Sequence, residues 1–471
     1  DILDYSDLLK NAASTYSGEN PFSTGHIKLV QSGQDTLFQF DADGTGNSEQ
    51  AITLAVLQNV QASALRTNNF NPNFPPDGSA AQGQLISGTN NSDTLVGGFG
   101  HDTIHGNAGN DTIDGQAGSD TIHGGDGNDN LTGNFGDDRL YGGAGNDTLF
   151  DDQGSNTLDG GDGNDRLTAR SLQGSHTLLG GSGRDNLNAT GKNVTLDGGA
   201  GNDNLQANGR AYRNNSKADV DKGHASLHGG LGADSLQVES YSTAELFGGN
   251  GNDNLQANDS RDVKLFGEEG DDTLYSNTNG YYSRYTDGDQ KRAQSVHLDG
   301  GDGNDRITAR FWSYSYYGKT IVSALGGSGD DVINISGESS NGSASVSVSG
   351  GSGQDTITVS DHHAGNTNDN DGDYGFKTVV VDAGDDNDTI SVSGGLNTTI
   401  TTGSGSDTIV LTAQQYHSQR KGSRQERNTN HQVIGTINAD PITITDFTTG
   451  TGGDILDYSD LLKNAASTYS G

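Results

Sequence analysis

Isolated apolar residues recur at a fixed interval in the first half of this chain. Between residues 97 and 150, a leucine or isoleucine appears once in every nine positions, and nearly all of its direct neighbours are polar. A single apolar residue between polar neighbours is typical of a short strand that points one side chain inward. The interval therefore predicts three-residue strands that alternate with turns, so that two units close one flattened coil of 18 residues.

Six contiguous nonapeptides fill this stretch: GGFGHDTIH, GNAGNDTID, GQAGSDTIH, GGDGNDNLT, GNFGDDRLY and GGAGNDTLF. They share the pattern G-(G/N/Q)-x-G-x-D-x-U-x, in which U is leucine or isoleucine. Glycines at positions 1 and 4 predict the positive φ angles of a tight turn. The aspartate at position 6 offers the hard oxygen ligands that calcium prefers.

These motifs resemble the RTX (repeats-in-toxin) calcium-binding nonapeptide family, and six tandem copies make the resemblance specific. The resemblance implies an all-β fold, a parallel β-roll solenoid with calcium-binding turns, which here has small β-rich end segments. It also implies that calcium lies between neighbouring turns of one face and is held by the position-6 carboxylates of both turns. Backbone carbonyls of positions 2 and 4 of one turn, and of positions 1 and 3 of the next, complete the shell.

Motif turns continue beyond residue 150 at intervals of 18 or more, so that one face carries 15 turns. The opposite face carries only those that begin at Gly97, Gly115 and Gly133. Fifteen turns have 14 gaps and three have 2, and we expect about 16 Ca²⁺ ions. The candidate carboxylate ligands are Asp102, Asp111, Asp120, Asp129, Asp138, Asp147, Asp165, Asp185, Asp203, Asp234, Asp253, Asp272, Asp305, Asp331, Asp355, Asp388 and Asp407. The candidate backbone ligands are Gly124, Gly125, Asp126, Gly127, Gly142, Gly143, Ala144, Gly145, Gly160, Gly161, Asp162 and Gly163.

Four residues depart from the motif: Ala383 and Thr402 at position 1, Asp386 at position 4 and Glu268 at position 2. The sites beside them are the least well defined by the sequence. Away from the turns, two facing ladders of apolar residues predict a thin continuous core. One ladder comprises Leu158, Leu178, Leu196, Leu227, Leu246, Leu265, Leu298, Val348, Val381 and Ile400, and the other Leu167, Leu187, Leu205, Leu236, Leu255, Leu274, Ile307, Ile357, Ile390 and Ile409.

Composition narrows the range of functions and explains why a metal is needed. The 471 residues include 63 Asp and Glu against 26 Lys and Arg, giving a net charge of −37, with 73 glycines and no cysteine. Disulfide scaffolds and Cys-ligated metals are therefore excluded, and nucleic acid is a poor partner for a polyanion. No apolar run is long enough to span a membrane. Because stacked aspartates repel one another, the sequence predicts a calcium-free chain that is unfolded.

The two ends of the chain share one segment. Residues 1–18 recur identically at 454–471, which predicts a natural repeat of 453 residues. We divide the chain into a cap or linker at 1–80 that continues a preceding unit, a β-roll at 81–411, and a C-terminal cap with the start of the next unit at 412–471. Asp35–Phe40 is a predicted strand. The loop 41–49 after it is either an additional ion site or an acidic hairpin turn, and 6–13 is a predicted short helix capped by Ser6.

Four insertions, near 209–224, 275–296, 309–323 and 360–378, lie on the face that has few motifs. Two of them are aromatic, with Tyr281, Tyr282 and Tyr285, then Phe311, Trp312, Tyr314, Tyr316 and Tyr317. These rings either bind glycan or a neighbouring chain, or they cover the open side of the roll. A basic cluster, Arg420, Lys421, Arg424 and Arg427, is either a solvated loop or a contact with acidic turns of another subunit.

These features favour a structural protein over an enzyme, because neither HExxH nor GxSxG occurs. We expect a calcium-stabilised repeat of a secreted extracellular filament or giant surface adhesin, which the RTX resemblance assigns to type I export from a Gram-negative bacterium. The expected partners are other copies of the protein, or cell-surface and matrix glycans. The alternative is a calcium-binding accessory module of a polysaccharide-active or other secreted enzyme.

Overall fold

The computed structural model describes residues 2–5, 8, 20–44, 50–66, 69–71, 83–209, 223–278, 294–313, 319–339, 343–361, 376–393, 397–411, 443–444 and 454–457. It contains two compact units, Asp1–Asn215 and Ser216–Gly471. Both units are built from short strands, and the all-β fold predicted from the repeat is confirmed. Among the described residues, none belongs to a helix long and apolar enough to cross a bilayer.

The first unit contains strands β1 to β19 and one 3-10 turn at Ala62–Ala64. The strands are β1 Leu3–Asp4, β2 Ile27–Ser32, β3 Asp35–Phe40, β4 Ile52–Leu57, β5 Phe70–Asn71, β6 Leu85–Ser87, β7 Thr94–Phe99, β8 Thr103–Ala108, β9 Thr112–Ala117, β10 Thr121–Asp126, β11 Asn130–Phe135, β12 Arg139–Ala144, β13 Thr148–Asp151, β14 Thr157–Asp162, β15 Arg166–Arg170, β16 Ser175–Ser182, β17 Asn186–Thr190, β18 Asn193–Ala200 and β19 Asn204–Asn208.

The second unit contains strands β20 to β37. They are β20 His224–Leu231, β21 Ser235–Glu239, β22 Thr243–Asn250, β23 Asn254–Asn258, β24 Asp262–Glu269, β25 Thr273–Thr278, β26 Gln294–Asp302, β27 Arg306–Ser313, β28 Lys319–Ser328, β29 Val332–Ser339, β30 Ser343–Ser352, β31 Thr356–Asp361, β32 Phe376–Asp385, β33 Thr389–Ser393, β34 Thr398–Thr401, β35 Thr408–Leu411, β36 Thr443–Ile444 and β37 Ile455–Asp457.

Two parallel sheets form the roll in each unit, one of even-numbered and one of odd-numbered strands. In the first unit the even sheet runs β6-β8-β10-β12-β14-β16-β18 and the odd sheet runs β7-β9-β11-β13-β15-β17-β19. In the second unit the even sheet runs from β20 to β36 and the odd sheet from β21 to β37. The chain thus crosses from one sheet to the other at every turn, and each strand pairs with the strand one coil away. This is the β-roll predicted from the repeat.

The register places equivalent repeat positions next to each other. Ile122 of β10 pairs with Ile104 of β8 and with Leu140 of β12. Every residue of the two predicted apolar ladders is buried, and none exposes more than 2% of its surface. Because identical inward positions stack coil upon coil, these residues form continuous ladders that exclude water from a thin core.

The strands are longer than the repeat predicts. The expected three-residue strand corresponds to positions 7 to 9, whereas β10 runs from Thr121 to Asp126 and includes the first three positions of the next repeat. Positions 1 and 2 of the next repeat therefore belong to the strand and pair with the neighbouring coil, at Gly125↔Gly143 for example. The sequence pattern underestimated the strand because glycine is a poor strand former.

An antiparallel sheet of β2, β3 and β4 precedes the roll, within the segment predicted as a cap or linker. Its core comprises Tyr5, Ile27, Phe38 and Phe70, and each exposes 2% or less of its surface. The predicted strand Asp35–Phe40 is confirmed as β3, and the following loop joins β3 to β4 of one hairpin. Asp41 at the start of this loop is paired with Lys28 at 2.7 Å. Residues 45–49 of the loop, and most of the predicted helix at 6–13, lie outside the described residues.

Candidate metal-binding turns

Turns connect the two sheets on two faces of each unit. On the first face, turns lead from an even strand to the next odd strand, as from β10 through Asp129 to β11. On the second face, turns lead from an odd strand to the next even strand, as from β11 through Asp138 to β12. In the second unit, the insertions near 275–296, 309–323 and 360–378 fall where the chain passes from an odd strand to the following even strand, at β25 to β26, β27 to β28 and β31 to β32. These are steps across the second face, as the spacing predicts.

The position-6 aspartates turn inward at both faces. All seventeen predicted carboxylates are buried, and none exposes more than 3% of its surface. Charged side chains are rarely buried to this extent unless a charge of opposite sign compensates them. The turns therefore place a concentrated negative charge inside the molecule.

One oxygen of each carboxylate stabilises the stack of coils. The backbone N–H of Asp111 donates to Oδ1 of Asp129, and the N–H of Asp129 donates to Oδ1 of Asp147, both at 2.7 Å. The same bond recurs in the second unit, for example from Asp253 to Asp272 at 2.7 Å. On the second face it links Asp120 to Asp138. Each aspartate thus joins its own turn to the turn one coil away.

The other carboxylate oxygen has no hydrogen-bond donor among the described residues. This is true of the Oδ2 atoms of Asp102, Asp111, Asp120, Asp129, Asp138, Asp147, Asp165, Asp185, Asp253, Asp272, Asp305, Asp331, Asp355 and Asp388. A buried, unsatisfied carboxylate oxygen is costly, and one in each of many successive turns is not a chance defect of packing. The regular array indicates a ligand that satisfies these oxygens.

The unsatisfied oxygens surround a small space beside each position-1 glycine. A Cβ atom at Gly180 would lie 2.5 Å from Oδ2 of Asp185 and 2.5 Å from the carbonyl oxygen of Gly198. At Gly97 the corresponding distances are 2.6 Å to Oδ2 of Asp102 and 2.5 Å to the carbonyl of Gly115. Carboxylate and carbonyl oxygens from two successive coils therefore converge on one point, which is the donor set that calcium prefers.

Positive φ angles occur at positions 2 and 4 of the motif, not at positions 1 and 4 as we expected. Gly125 has φ 115° and Gly127 has φ 136°, whereas the position-1 glycine Gly124 is not among the positive-φ residues. Position 4 is confirmed, and position 1 is corrected. Glycine is required at position 1 because a side chain would fill the space beside the aspartate, and at positions 2 and 4 because of the backbone conformation.

The four departures from the motif fit these two requirements, space at position 1 and positive φ at positions 2 and 4. Glu268 at position 2 and Asp386 at position 4 adopt φ angles of 78° and 77°, so they follow the turn at a conformational cost. Ala383 and Thr402, at position 1, are fully buried, and their side chains occupy the position that glycine leaves open elsewhere. The Thr402 hydroxyl donates to Asp454 at 3.3 Å. The last turns are therefore the most altered.

Burial and mutual repulsion raise the pKa values of aspartates in the turns. Burial raises the pKa of Asp120 to about 8 and the pKa values of Asp165 and Asp272 to about 7. The hydrogen bond from a backbone N–H opposes this rise, and the negative charges of neighbouring aspartates add to it. A divalent cation among these carboxylates would reverse the repulsion between them.

The donor set is not a cluster of side chains alone. In the described part of the chain, no group of three or more His, Asp or Glu side chains gathers as a metal site. Backbone oxygens must therefore complete any coordination shell. The candidate carbonyls of Asp126, Ala144 and Asp162 each accept one hydrogen bond, from the N–H groups of Gly109, Gly127 and Gly145. A carbonyl oxygen has two lone pairs, so these atoms keep capacity for a cation.

A second ladder at position 5 was missed by the sequence analysis. The backbone N–H of Asn128 donates to Oδ1 of Asn110 at 2.9 Å, and the N–H of Asn146 donates to Oδ1 of Asn128 at 2.7 Å. This ladder bonds backward along the chain, whereas the aspartate ladder bonds forward. The signal was present in the sequence, because position 5 is asparagine in many of the repeats.

Among the aromatic residues of the insertions, Phe311 belongs to the core. It exposes 2% of its surface and stacks on Phe376, with ring centroids 5.4 Å apart. At Phe311, this packing favours the hypothesis that aromatic rings cover the open side of the roll. Tyr281, Tyr282, Tyr285, Tyr314, Tyr316, Tyr317, the side chain of Trp312 and the basic cluster at 420–427 lie outside the described residues.

Comparison with protein families identifies the repeats themselves. The family described as RTX calcium-binding nonapeptide repeat (4 copies) matches residues 87–122, 114–149, 141–171, 179–209, 247–278 and 294–310. These matches cover turns of both units. No curated protein matches the chain significantly.

Proposed function

We propose that this chain, in which RTX calcium-binding nonapeptide repeats occur in both units, is a structural unit of a secreted bacterial filament or giant surface adhesin. RTX repeats bind calcium and are typical of secreted proteins. In this proposal, calcium is not a catalytic cofactor. It joins neighbouring coils through the position-6 carboxylates and the backbone carbonyls around each position-1 glycine, at about 16 sites.

The support for a calcium-dependent structure is the array of buried Oδ2 atoms without hydrogen-bond donors. Without cations, each coil adds another buried negative charge to the stack, and the free energy of folding becomes less favourable with every turn. With calcium bound, the same carboxylates link adjacent turns, and binding energy becomes folding energy. A chain of this kind stays unfolded at the low calcium concentration of the cytosol, which suits export, and folds outside the cell.

The support for a repeating assembly is the shared terminal segment. In its first copy, β1 pairs with β5 of the cap, at Leu3↔Phe70. In its second copy, β37 pairs with β35 at the end of the roll, at Leu456↔Ile409. A strand has two hydrogen-bonding edges, so one copy of the segment can extend the roll of one period and join the cap of the next. This arrangement makes other periods of the same protein its first partners.

Electron microscopy of the native material tests the proposal. We expect fibres on the cell surface or in the medium that an antibody against residues 83–209 labels at regular intervals. We also expect a calcium chelator to dissolve them and calcium to restore them. An antibody against an unrelated surface protein of the same cells is the control. Isolated particles that do not associate in millimolar calcium would contradict the filament.

A further inference from the structure

Asp151 introduces a carboxylate where the second face was expected to have no further motif turn. It lies 18 residues after Gly133 and therefore occupies position 1 of the next turn on this face, a position that is glycine at Gly97 and Gly115. Asn156 occupies position 6 of the same turn in place of aspartate. Asp151 is the last residue of β13 and exposes none of its surface. Its carboxylate is thus buried at the edge of the turn.

The side chain of Asp151 points into the space beside Gly133. A Cβ atom at Gly133 would overlap Oδ2 of Asp151 and would lie 2.5 Å from Oδ2 of Asp138. This is the same point that a position-6 carboxylate and a backbone carbonyl surround in other turns. Here two carboxylates from different coils converge on it.

Both carboxylates have one satisfied and one unsatisfied oxygen. Oδ1 of Asp138 accepts from the N–H of Asp120 at 2.7 Å, and Oδ1 of Asp151 accepts from the N–H of Gln153 at 3.1 Å. Neither Oδ2 atom has a donor among the described residues. Two ionised carboxylates are both acceptors and cannot satisfy each other. Burial, then the charge of Asp138, and then a hydrogen bond to Asp138 that forms when Asp151 is protonated raise the pKa of Asp151 well above its ordinary value.

Asn156 explains why a second carboxylate is needed here. Its Oδ1 accepts from the N–H of Asp138 at 2.9 Å, so the ladder of hydrogen bonds continues through the turn. Its amide carries no charge, and Nδ2 donates to the carbonyl of Gln153 at 2.6 Å. The charge that position 6 lacks is supplied from position 1 of the same turn. One coil further, the buried His176 takes the equivalent place and its Nδ1 accepts from the N–H of Asn156 at 3.4 Å.

We propose that Asp138 and Asp151 bind a calcium ion between these two turns, a third site on the second face whose second carboxylate comes from position 1. The inference rests on the proposed calcium-stabilised roll and adds a site that the nonapeptide pattern does not specify. The ion would be the last on this face, because His176 follows where the next carboxylate would stand.

Native mass spectrometry of the full chain in calcium tests the site. We expect Asp151→Asn to bind one calcium ion fewer than the unaltered chain. Asp152→Asn, a neutralisation of the adjacent exposed carboxylate, is the matched control and should leave the number of bound ions unchanged. No loss in Asp151→Asn, or an equal loss in both variants, would overturn the proposal.

Anomalous diffraction from calcium-loaded crystals of the unaltered chain provides a second measurement. It does not depend on whether a variant folds. We expect a peak within about 2.3–2.6 Å of both Oδ2 atoms, together with peaks at the first-face turns. First-face peaks without a peak between Asp138 and Asp151 would refute this site alone, with the two acids sharing a proton instead. The absence of peaks at every turn would refute the proposed calcium-dependent roll itself.

Discussion

At the scale of single residues, the two oxygens of each position-6 aspartate have different roles. Oδ1 accepts a backbone hydrogen bond that aligns two coils, and Oδ2 faces the space beside the position-1 glycine. Asn156 separates these roles, because an amide keeps the hydrogen bond and removes the charge. The aspartate is therefore required for the charge of Oδ2, and the glycine is required for the room around it.

Gly180→Ala tests the need for space at position 1. The backbone of Gly180 is not in the positive-φ region, so alanine there brings no conformational strain. The added methyl would lie 2.5 Å from both Oδ2 of Asp185 and the carbonyl of Gly198. Because overpacking costs about 1–3 kcal/mol and many calcium ions bind as the chain folds, we expect the calcium concentration at the folding midpoint to rise, by less than about twofold. A calcium titration followed by circular dichroism measures it.

The reverse substitution is the matched control. Ala383→Gly removes a buried methyl from the equivalent position of a later turn, so it is expected not to raise the midpoint. If Gly180→Ala left the midpoint unchanged, the space beside the glycine would have no role in binding. If both variants raised it, any change at position 1 would be harmful regardless of size.

At the scale of elements, each strand is stabilised by its neighbours one coil away. Leu255 of β23 pairs with Leu236 of β21 on one side and with Leu274 of β25 on the other, and all three are fully buried. A strand with one inward leucine cannot bury an apolar face alone. Its stability comes from the stack, as in other repeat architectures.

Leu255→Ala is expected to destabilise the calcium-saturated protein by about 2–5 kcal/mol, because it opens a cavity within the stacked ladder. Leu231→Ala is the control, since Leu231 of β20 exposes 57% of its surface, and its effect should stay within about 0.5 kcal/mol. Urea unfolding in saturating calcium measures both. Similar losses in the two variants would mean that the ladder does not form the core.

The sequence predicted the elements better than it predicted their turns. A nine-residue apolar period identifies inward positions because burial is read directly from side-chain chemistry, and Leu158, Leu167 and their equivalents are all buried. Glycine is compatible both with positive φ and with a lack of space, so its identity does not reveal which of the two a position requires. Asp151 was missed because it breaks the motif, although its carboxylate restores the charge that Asn156 removes.

At the scale of the whole molecule, the buried negative charge of the turns opposes folding. The net charge is −37, and seventeen of the carboxylates that contribute to it are buried in the turns. Only 29% of the residues are hydrophobic, so the core has little excess stability with which to offset the repulsion. We therefore expect neutralisation of the buried carboxylates, by cations or by protons, to be needed for folding.

Protons should partly replace calcium, which gives the calcium-free chain a distinctive pH dependence. In the folded state burial raises the pKa from 3.8 to about 8 for Asp120 and to about 7 for Asp331 and Asp388. The folded chain then binds more protons than the unfolded chain between these limits, so its stability is greatest at low pH and falls as the pH rises from about 4 to about 8.

With a chelator present, we therefore expect the strand signal in circular dichroism to grow as the pH is lowered from 8 to 5, because protonation removes the repulsion between buried aspartates. In saturating calcium the signal should persist at pH 8, and the apparent calcium affinity should decrease below pH 6 because protons compete for the same oxygens. A calcium-free chain that is more ordered at pH 8 than at pH 5 would show that carboxylate repulsion does not control folding. Ordered strands at pH 8 in chelator would show that the roll needs no cation.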